Sequence, residues 1–196
     1  MRRIPIALLA LASLALAETY QIQPAPDSRF ALSVEKTGLY RGKKHLFLFE
    51  KYQGSLQFDS AKPAESKIQL TIDAGSVVCK DDWVSASDLK KVMQTTLEDM
   101  LAVKRYPTMT FSSTSIRDLG TGKYEAQGTL TIRDIPKPAV VTVQLNATNP
   151  SQLKVDGSAI IKLSDYKLKP PSAILGVIGT KNEMTLTFSI SASKLN

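Results

Sequence analysis

From Tyr106 to Val143 the chain alternates apolar and polar residues with a period of two, a pattern that predicts three consecutive β-strands. Pro107 ends whatever helix precedes it. Met109 and Phe111 then fall on one face, with Thr108, Thr110 and Ser112 on the other. The turn signal Gly120-Thr-Gly122 leads into Tyr124, Ala126, Gly128, Leu130 and Ile132 at the same spacing. Pro136 and Pro138 bracket the next connection, after which Val141, Val143 and Leu145 resume the period. Short connections make such strands antiparallel neighbours, so the stretch reads as a curved meander with one apolar and one wetted face.

The flanking regions repeat the pattern. Tyr20 and Ile22 predict a short strand ended by Pro24 and Pro26, and Phe30, Leu32 and Val34 a second one. Phe47 and Phe49 share one register, whereas Tyr52, Gly54, Leu56 and Phe58 share another. The change of phase between them predicts a bulge or bend, the device that lets a sheet curl. Ile68, Leu70 and Ile72 alternate next. Beyond the meander, Leu153 to Leu163 and Met184 to Ala192 do the same, separated by a loop, Ser164 to Lys181, that carries Pro170-Pro171 and the apolar run Ala173 to Gly179.

Only one stretch changes period. Leu89, Val92, Met93, Thr96, Leu97, Met100 and Leu101 recur at spacings of three and four, which predicts an amphipathic helix capped by Ser85 or Ser87. About eight strands with one apolar face each, plus a single helix, predict an all-β protein: two packed sheets or a closed antiparallel barrel. Closure removes the exposed edges of a flat sheet. Small inward residues (Ala126, Gly128, Gly157, Ala159) stand beside six phenylalanines. Such a mixture fits either an interdigitated, self-filled core or a cleft lined by aromatics.

The N-terminus adds a destination. Arg2-Arg3, the apolar run Ile4 to Leu16 and the small-residue site Ala15-Leu16-Ala17 have the layout of a signal peptide, residues 1-17, cleaved after Ala17. The apolar run is too short for a convincing membrane span, and no cysteine at the cleavage site invites lipid attachment. The mature chain, 18-196, is then one periplasmic or secreted domain. Losing the two arginines lowers the formal net charge from +7 to +5. Lys36, Arg41, Lys43, Lys44 and Lys51 form the densest basic group, either a solvated surface or a region drawn to an anionic membrane surface or an acidic partner. Aromatics are not interleaved with it as in a base-stacking platform, and nucleic acid is not expected as a partner. Cys79 is the only cysteine, so no intramolecular disulfide can form, and its neighbours predict a packed small residue rather than a redox centre.

Candidate chemistry is sparse. His45 is the only histidine, and no Gly-x-Ser-x-Gly elbow accompanies it. A surface or pocket-mouth position is expected for it rather than catalysis. One His and one Cys cannot supply a typical zinc site, and Asp81-Asp82 reads as a solvated loop rather than a calcium site. Gly38 to Lys44 misses the spacing of a phosphate loop, and Asn146-Ala-Thr148 matches a glycosylation sequon. No catalytic residue, metal ligand or resident cofactor is predicted.

The order of features carries a resemblance. Asp27-Ser-Arg-Phe30, Gly42-Lys-Lys-His-Leu-Phe-Leu-Phe-Glu-Lys-Tyr-Gln-Gly54, Ile72-Asp-Ala-Gly-Ser-Val77, the helix, Tyr106-Pro-x-Met-x-Phe-x-Ser-Thr114, Gly128-Thr-Leu-Thr-Ile-Arg133 and Pro136-Lys-Pro138 together resemble the YceI-like family across nearly the whole mature chain. The resemblance implies an extended lipocalin-like antiparallel β-barrel, a periplasmic location, and an apolar channel for a polyisoprenoid or similar amphiphilic lipid. Ser28-Arg29 replaces the His-Ser pair of many relatives, and Leu163-Ser-Asp165-Tyr166 lacks their arginine beside the aspartate, so head-group contacts do not transfer to those positions. The expected apolar lining is Phe30, Leu32, Phe47, Phe49, Phe58, Leu70, Met109, Phe111, Leu130, Ile132, Val141, Val143, Ile161, Leu186 and Phe188. Ile174, Leu175, Val177 and Ile178 form either a gate that touches a membrane surface or a plug for the barrel end.

Overall fold

A computed structural model describes residues 17–195; the predicted signal peptide lies almost wholly outside them. The strands are β1 (Glu18–Ile22), β2 (Arg29–Gly38), β3 (Lys44–Phe49), β4 (Tyr52–Phe58), β5 (Lys67–Asp73), β6 (Val77–Cys79), β7 (Thr108–Gly120), β8 (Lys123–Ile132), β9 (Ile135–Asn149), β10 (Gln152–Lys162), β11 (Ser172–Ala173) and β12 (Ile178–Lys194). All the pairings are antiparallel. Eight strands close a ring in the order β1-β4-β5-β7-β8-β9-β10-β12, sealed where Tyr20 to Ile22 of β1 meet Lys194 to Ala192 of β12. The lipocalin-like barrel is therefore present.

One edge of β12 serves two partners. Near its C-terminus it holds β1, and from Ile178 to Ser189 it holds β2, which carries β3, which carries β6. These three strands lengthen the barrel wall at one end. The bend foreseen between Phe49 and Tyr52 occurs at Glu50-Lys51, with Phe49 and Tyr52 both buried. It has a counterpart: the 3₁₀ turn Ala74–Ser76 separates β5 from β6. A long hairpin thus bends on both legs at one level, pairing β4 with β5 below and β3 with β6 above. The amide of Lys51 donates to Ser76 Oγ (3.0 Å) across the bend.

The helix α1 (Ala86–Gln94) starts at Ser85, whose hydroxyl accepts from the Asp88 amide at 3.2 Å, as its cap position predicts. It continues as a π-helical turn, Thr95–Met100, where Thr96 Oγ1 donates to the Val92 carbonyl. The helix packs against β6, covering the edge that this short strand presents.

Two sequence expectations need correction. Pro136 and Pro138 do not flank a turn; they lie inside β9, and the connection is Arg133-Asp134, both in the left-handed region (φ 53° and 59°) as a tight primed hairpin turn requires. The prolines are tolerated because β10 pairs with β9 only from Thr142 onward, leaving that edge without ladder bonds. The last strand begins at Ile178 rather than Met184, so Ile178 belongs to the sheet and not to the loop.

The inward mixture of small and large residues partly interdigitates. A Cβ on Gly157 would lie 2.3 Å from Phe188 Cζ, and one on Gly128 would lie 2.7 Å from Phe111 Cζ. These glycines are seats for aromatic rings. Gly157→Val is expected to cost about 1–3 kcal/mol by overpacking, read as a lower urea midpoint with unchanged slope.

Four of the six tyrosines, Tyr20, Tyr52, Tyr124 and Tyr166, are buried. Burial raises all four phenols, Tyr20 and Tyr166 to about 12. A folded-state value above the unfolded value of about 10 stabilises the fold below that pH and is lost as pH climbs from about 10 to about 12. Absorbance at 295 nm should show these phenols ionising late, together with loss of the fold.

Candidate functional site

The barrel interior is divided into two apolar chambers. The larger, about 310 Å³, lies where β2, β3 and β6 extend the wall, and Phe30, Leu32, Phe47, Phe49, Met109, Leu130, Ile132, Ile161 and Leu186 line it. The smaller, about 80 Å³, is lined by Phe58, Leu70, Phe111, Val141, Val143 and Phe188, with Phe30, Leu130 and Leu186 shared between the two. All fifteen residues picked out by alternation therefore face one chamber or the other. Phe30 stands at the partition. Its ring stacks on Phe188 (centroids 5.7 Å apart), tilts against Tyr52 (5.4 Å) and meets Phe49 edge-on (6.1 Å).

The helix roofs the larger chamber with Val92, Thr95, Thr96, Met100 and Leu101. No residue of α1 or of its π-helical turn is buried, the pattern of an apolar face resting over a void rather than on packed side chains. Arg133 fastens its far end, donating to the carbonyl of Asp99 at 3.0 Å.

The four residues expected to form a gate do not line the chamber. Ile174, Leu175 and Val177 are exposed and Ile178 is half-buried in β12; Leu168, Pro171, Ser172, Ala173 and Thr180 stand at the chamber instead. The gate segment adjoins them and is strained: Ile174 and Leu175 are left-handed (φ 51° and 52°), a conformation costly for a β-branched side chain. The Leu39 amide donates to the Val177 carbonyl at 3.1 Å, joining this loop to the β2–β3 turn, where Leu39 and Tyr40 are also exposed.

The polar side of the chamber differs most from sequence expectation. His45 is neither on the surface nor free: it is buried in the chamber wall, and its Nδ1 hydrogen-bonds Asp81 Oδ2 at 2.5 Å. Asp81 is no solvated loop residue either, since its side chain is 1% exposed and its Oδ1 accepts from the Leu46 amide at 2.9 Å. Trp83 stacks on the imidazole (5.2 Å between centroids) and donates Nε1–H to the Lys44 carbonyl at 3.0 Å. Lys36, grouped by sequence with the surface basic residues, points inward and also lines the chamber.

Pairing of Phe47 with Cys79 across β3 and β6 brings Cys79 into this cluster, so that donor atoms of His45, Cys79 and Asp81 lie within 4.8 Å of one another. Separation of 45 from 79–81 in the chain hid this convergence; the only local signal was the inward phase of His45 with Phe47 and Phe49. Burial pushes the Cys79 thiol up to about 12, reinforced by its hydrogen bond to Asp81. A thiol so held is the reverse of an activated nucleophile, and it remains the packed residue the sequence predicts. The imidazole–carboxylate pair resembles half of a general-base arrangement, but both Asp81 oxygens are engaged within the cluster, which reads as a fastening between the β3 strand and the segment leading to the helix.

A closed antiparallel barrel with a helix laid over an apolar internal chamber defines the lipocalin-like class of binding fold. Residues 20–192 match the YceI-like domain, and the chain belongs to that family. A UPF0312 protein of Photorhabdus laumondii is 29% identical over 172 residues, 83% of this chain and 82% of its own. A UPF0312 protein of Ectopseudomonas mendocina is 28% identical over 125 residues, 61% of this chain, and the match spans only 62% of that relative's length. Among solved structures, Burkholderia cenocepacia BcnA superposes with a TM-score of 0.66 at 25% identity, covering 85% of this chain and 96% of that one. A polyisoprenoid binding domain from Saccharophagus degradans, implicated in plant cell wall breakdown, shares the fold at 16% identity (TM-score 0.61; 92% and 99% covered).

Asp81→Ala should cost about 1–3 kcal/mol by leaving the buried imidazole N–H and the Leu46 amide without acceptors, measured by chemical denaturation. In the same experiment the Cys79 thiol should resist Ellman's reagent at pH 8 until denaturant opens the fold.

Proposed function

We propose that the protein is exported, that its signal peptide is removed after Ala17, and that the mature domain is a periplasmic or secreted binding protein. It holds or carries a polyisoprenoid or similar amphiphilic lipid and performs no catalysis. The single observation that carries this reading is the larger chamber: a cavity of about 310 Å³ at the extended end of the barrel, walled mainly by apolar side chains and roofed by a half-buried helix. A volume of this size falls at the lower end of ligand pockets, which run from about 300 Å³. Since about 150 Å³ holds one benzene ring, the chamber has room for roughly a dozen carbons. A longer isoprenoid requires the Phe30 partition to swing aside and join the two chambers.

Each CH₂ moved from water into the chamber gains about 0.8 kcal/mol, but one moved from a bilayer gains almost nothing. Uptake from a membrane is then set by access and by the polar end of the site. The exposed Leu39, Tyr40, Ile174, Leu175 and Val177, beside the basic residues Arg41 and Lys43 of the β2–β3 turn and Lys44 at the start of β3, suit transient contact with an anionic membrane surface. The strained loop serves as the gate next to the chamber mouth.

Organic extraction of protein purified from an exporting host, followed by mass spectrometry, is expected to yield a lipid near one equivalent, and adding isoprenoids to stripped protein should raise its Tm. Absence of both sinks the carrier reading. Leu175→Asp should weaken co-sedimentation with vesicles containing phosphatidylglycerol severalfold while leaving the Tm within a degree or two, because this side chain is fully exposed.

A further inference from the structure

Along β2 the inward positions run Phe30, Leu32, Val34, Lys36, all on the wall of the larger chamber. A lysine in such a series usually carries its amine out to water along its own stem. Lys36 keeps little surface: it is 9% exposed, lines the chamber and, among the described residues, forms no ion pair. Burial accordingly lowers its pKa, opposed only by the charge of Asp81 acting through space. Those Asp81 oxygens are already taken by His45 and the Leu46 amide. The other lysine at the chamber, Lys91, is different in kind, being exposed and paired with Asp88 at 3.0 Å.

Sheet register sets Lys36 in a polar rung. Thr180 of β12 is its direct partner on one side, and His45 of β3 pairs with Val34, one inward step away, on the other. All three line the chamber, and the apolar wall continues from them toward Phe30. With Nδ1–H donated to Asp81, the other ring nitrogen of a neutral imidazole is an acceptor, which leaves the anion itself to the Lys36 amine. An ammonium kept in an apolar chamber without a counter-ion is costly, and a bound anion removes that cost.

We infer that the larger chamber takes amphiphiles with an anionic head group, carboxylate or phosphate, bound by the Lys36 amine with the tail directed toward Phe30; the Thr180 hydroxyl beside it already donates to the Pro171 carbonyl at 2.9 Å and only edges the site. This rests on the lipid-pocket reading and adds the chemical class of the head.

The test uses stripped mature protein and ligands matched in their tails: dodecanoate against dodecanol, and farnesyl phosphate against farnesol, measured by displacement of a fluorescent fatty-acid probe. At least one anion is expected to bind about tenfold or more tightly than its alcohol. Whichever pair shows the larger preference distinguishes carboxylate from phosphate. Lys36→Met should bring the anion down to the affinity of the alcohol while keeping alcohol binding, which also certifies the variant's fold; Lys91→Met should keep the preference. Equal binding of anion and alcohol to the natural protein, or an equal loss of both in Lys36→Met, overturns the head-group assignment and leaves the carrier reading standing. Failure of all four ligands to bind overturns both. Competition by inorganic phosphate as strong as that by farnesyl phosphate would overturn the requirement for an amphiphile.

Discussion

One edge of β12 is divided between two strands, and the rest of the structure follows from that division. Where β12 holds β1, the sheet closes on itself and the eight-stranded ring is complete. Where it holds β2 instead, the wall runs on through β3 and ends at β6, a strand of three residues. The edge left there needs covering, and the helix covers it. A helix bridging a gap packs less densely than a strand completing a ring. The larger chamber is the volume left by that difference.

Much of this was legible in the alternation of residues. A period of two fixes which side chains share a face, so the fifteen lining residues could be named without knowing strand order, and the phase slip between Phe49 and Tyr52 marked a real bend. What the pattern could not supply was the third dimension. That Gly157 lies beneath Phe188, and Gly128 beneath Phe111, depends on register between strands. So does the meeting of His45 with Asp81. Lys36 occupies an inward position by the same counting that places Val34, although the charge of a lysine favours the surface. At Pro136 and Pro138 the usual link between proline and turns misled, because an unpaired stretch of β9 makes proline harmless there.

The interior consequently carries two kinds of cost. Empty apolar volume forfeits packing, and a buried ammonium forfeits hydration. Both penalties fall on the empty protein and are relieved by one type of guest, an apolar chain ending in an anion. The His45–Asp81–Cys79 cluster lies immediately behind the rung and keeps the imidazole in place, with Trp83 stacked across it. Rigid support behind and unfilled space in front is the arrangement expected where position, rather than reactivity, is what the residues contribute.

The roof of the chamber has a mechanical character of its own. Trp83 ties the approach to the helix to the Lys44 carbonyl, and Arg133 grips its end at Asp99. Between these fixed points no residue is buried and one turn is π-helical, wound with slack relative to the turns before it. A beam pinned at both ends with an expansion joint in its span adapts by bowing. It would follow the girth of whatever lies beneath it without ever letting go of the barrel.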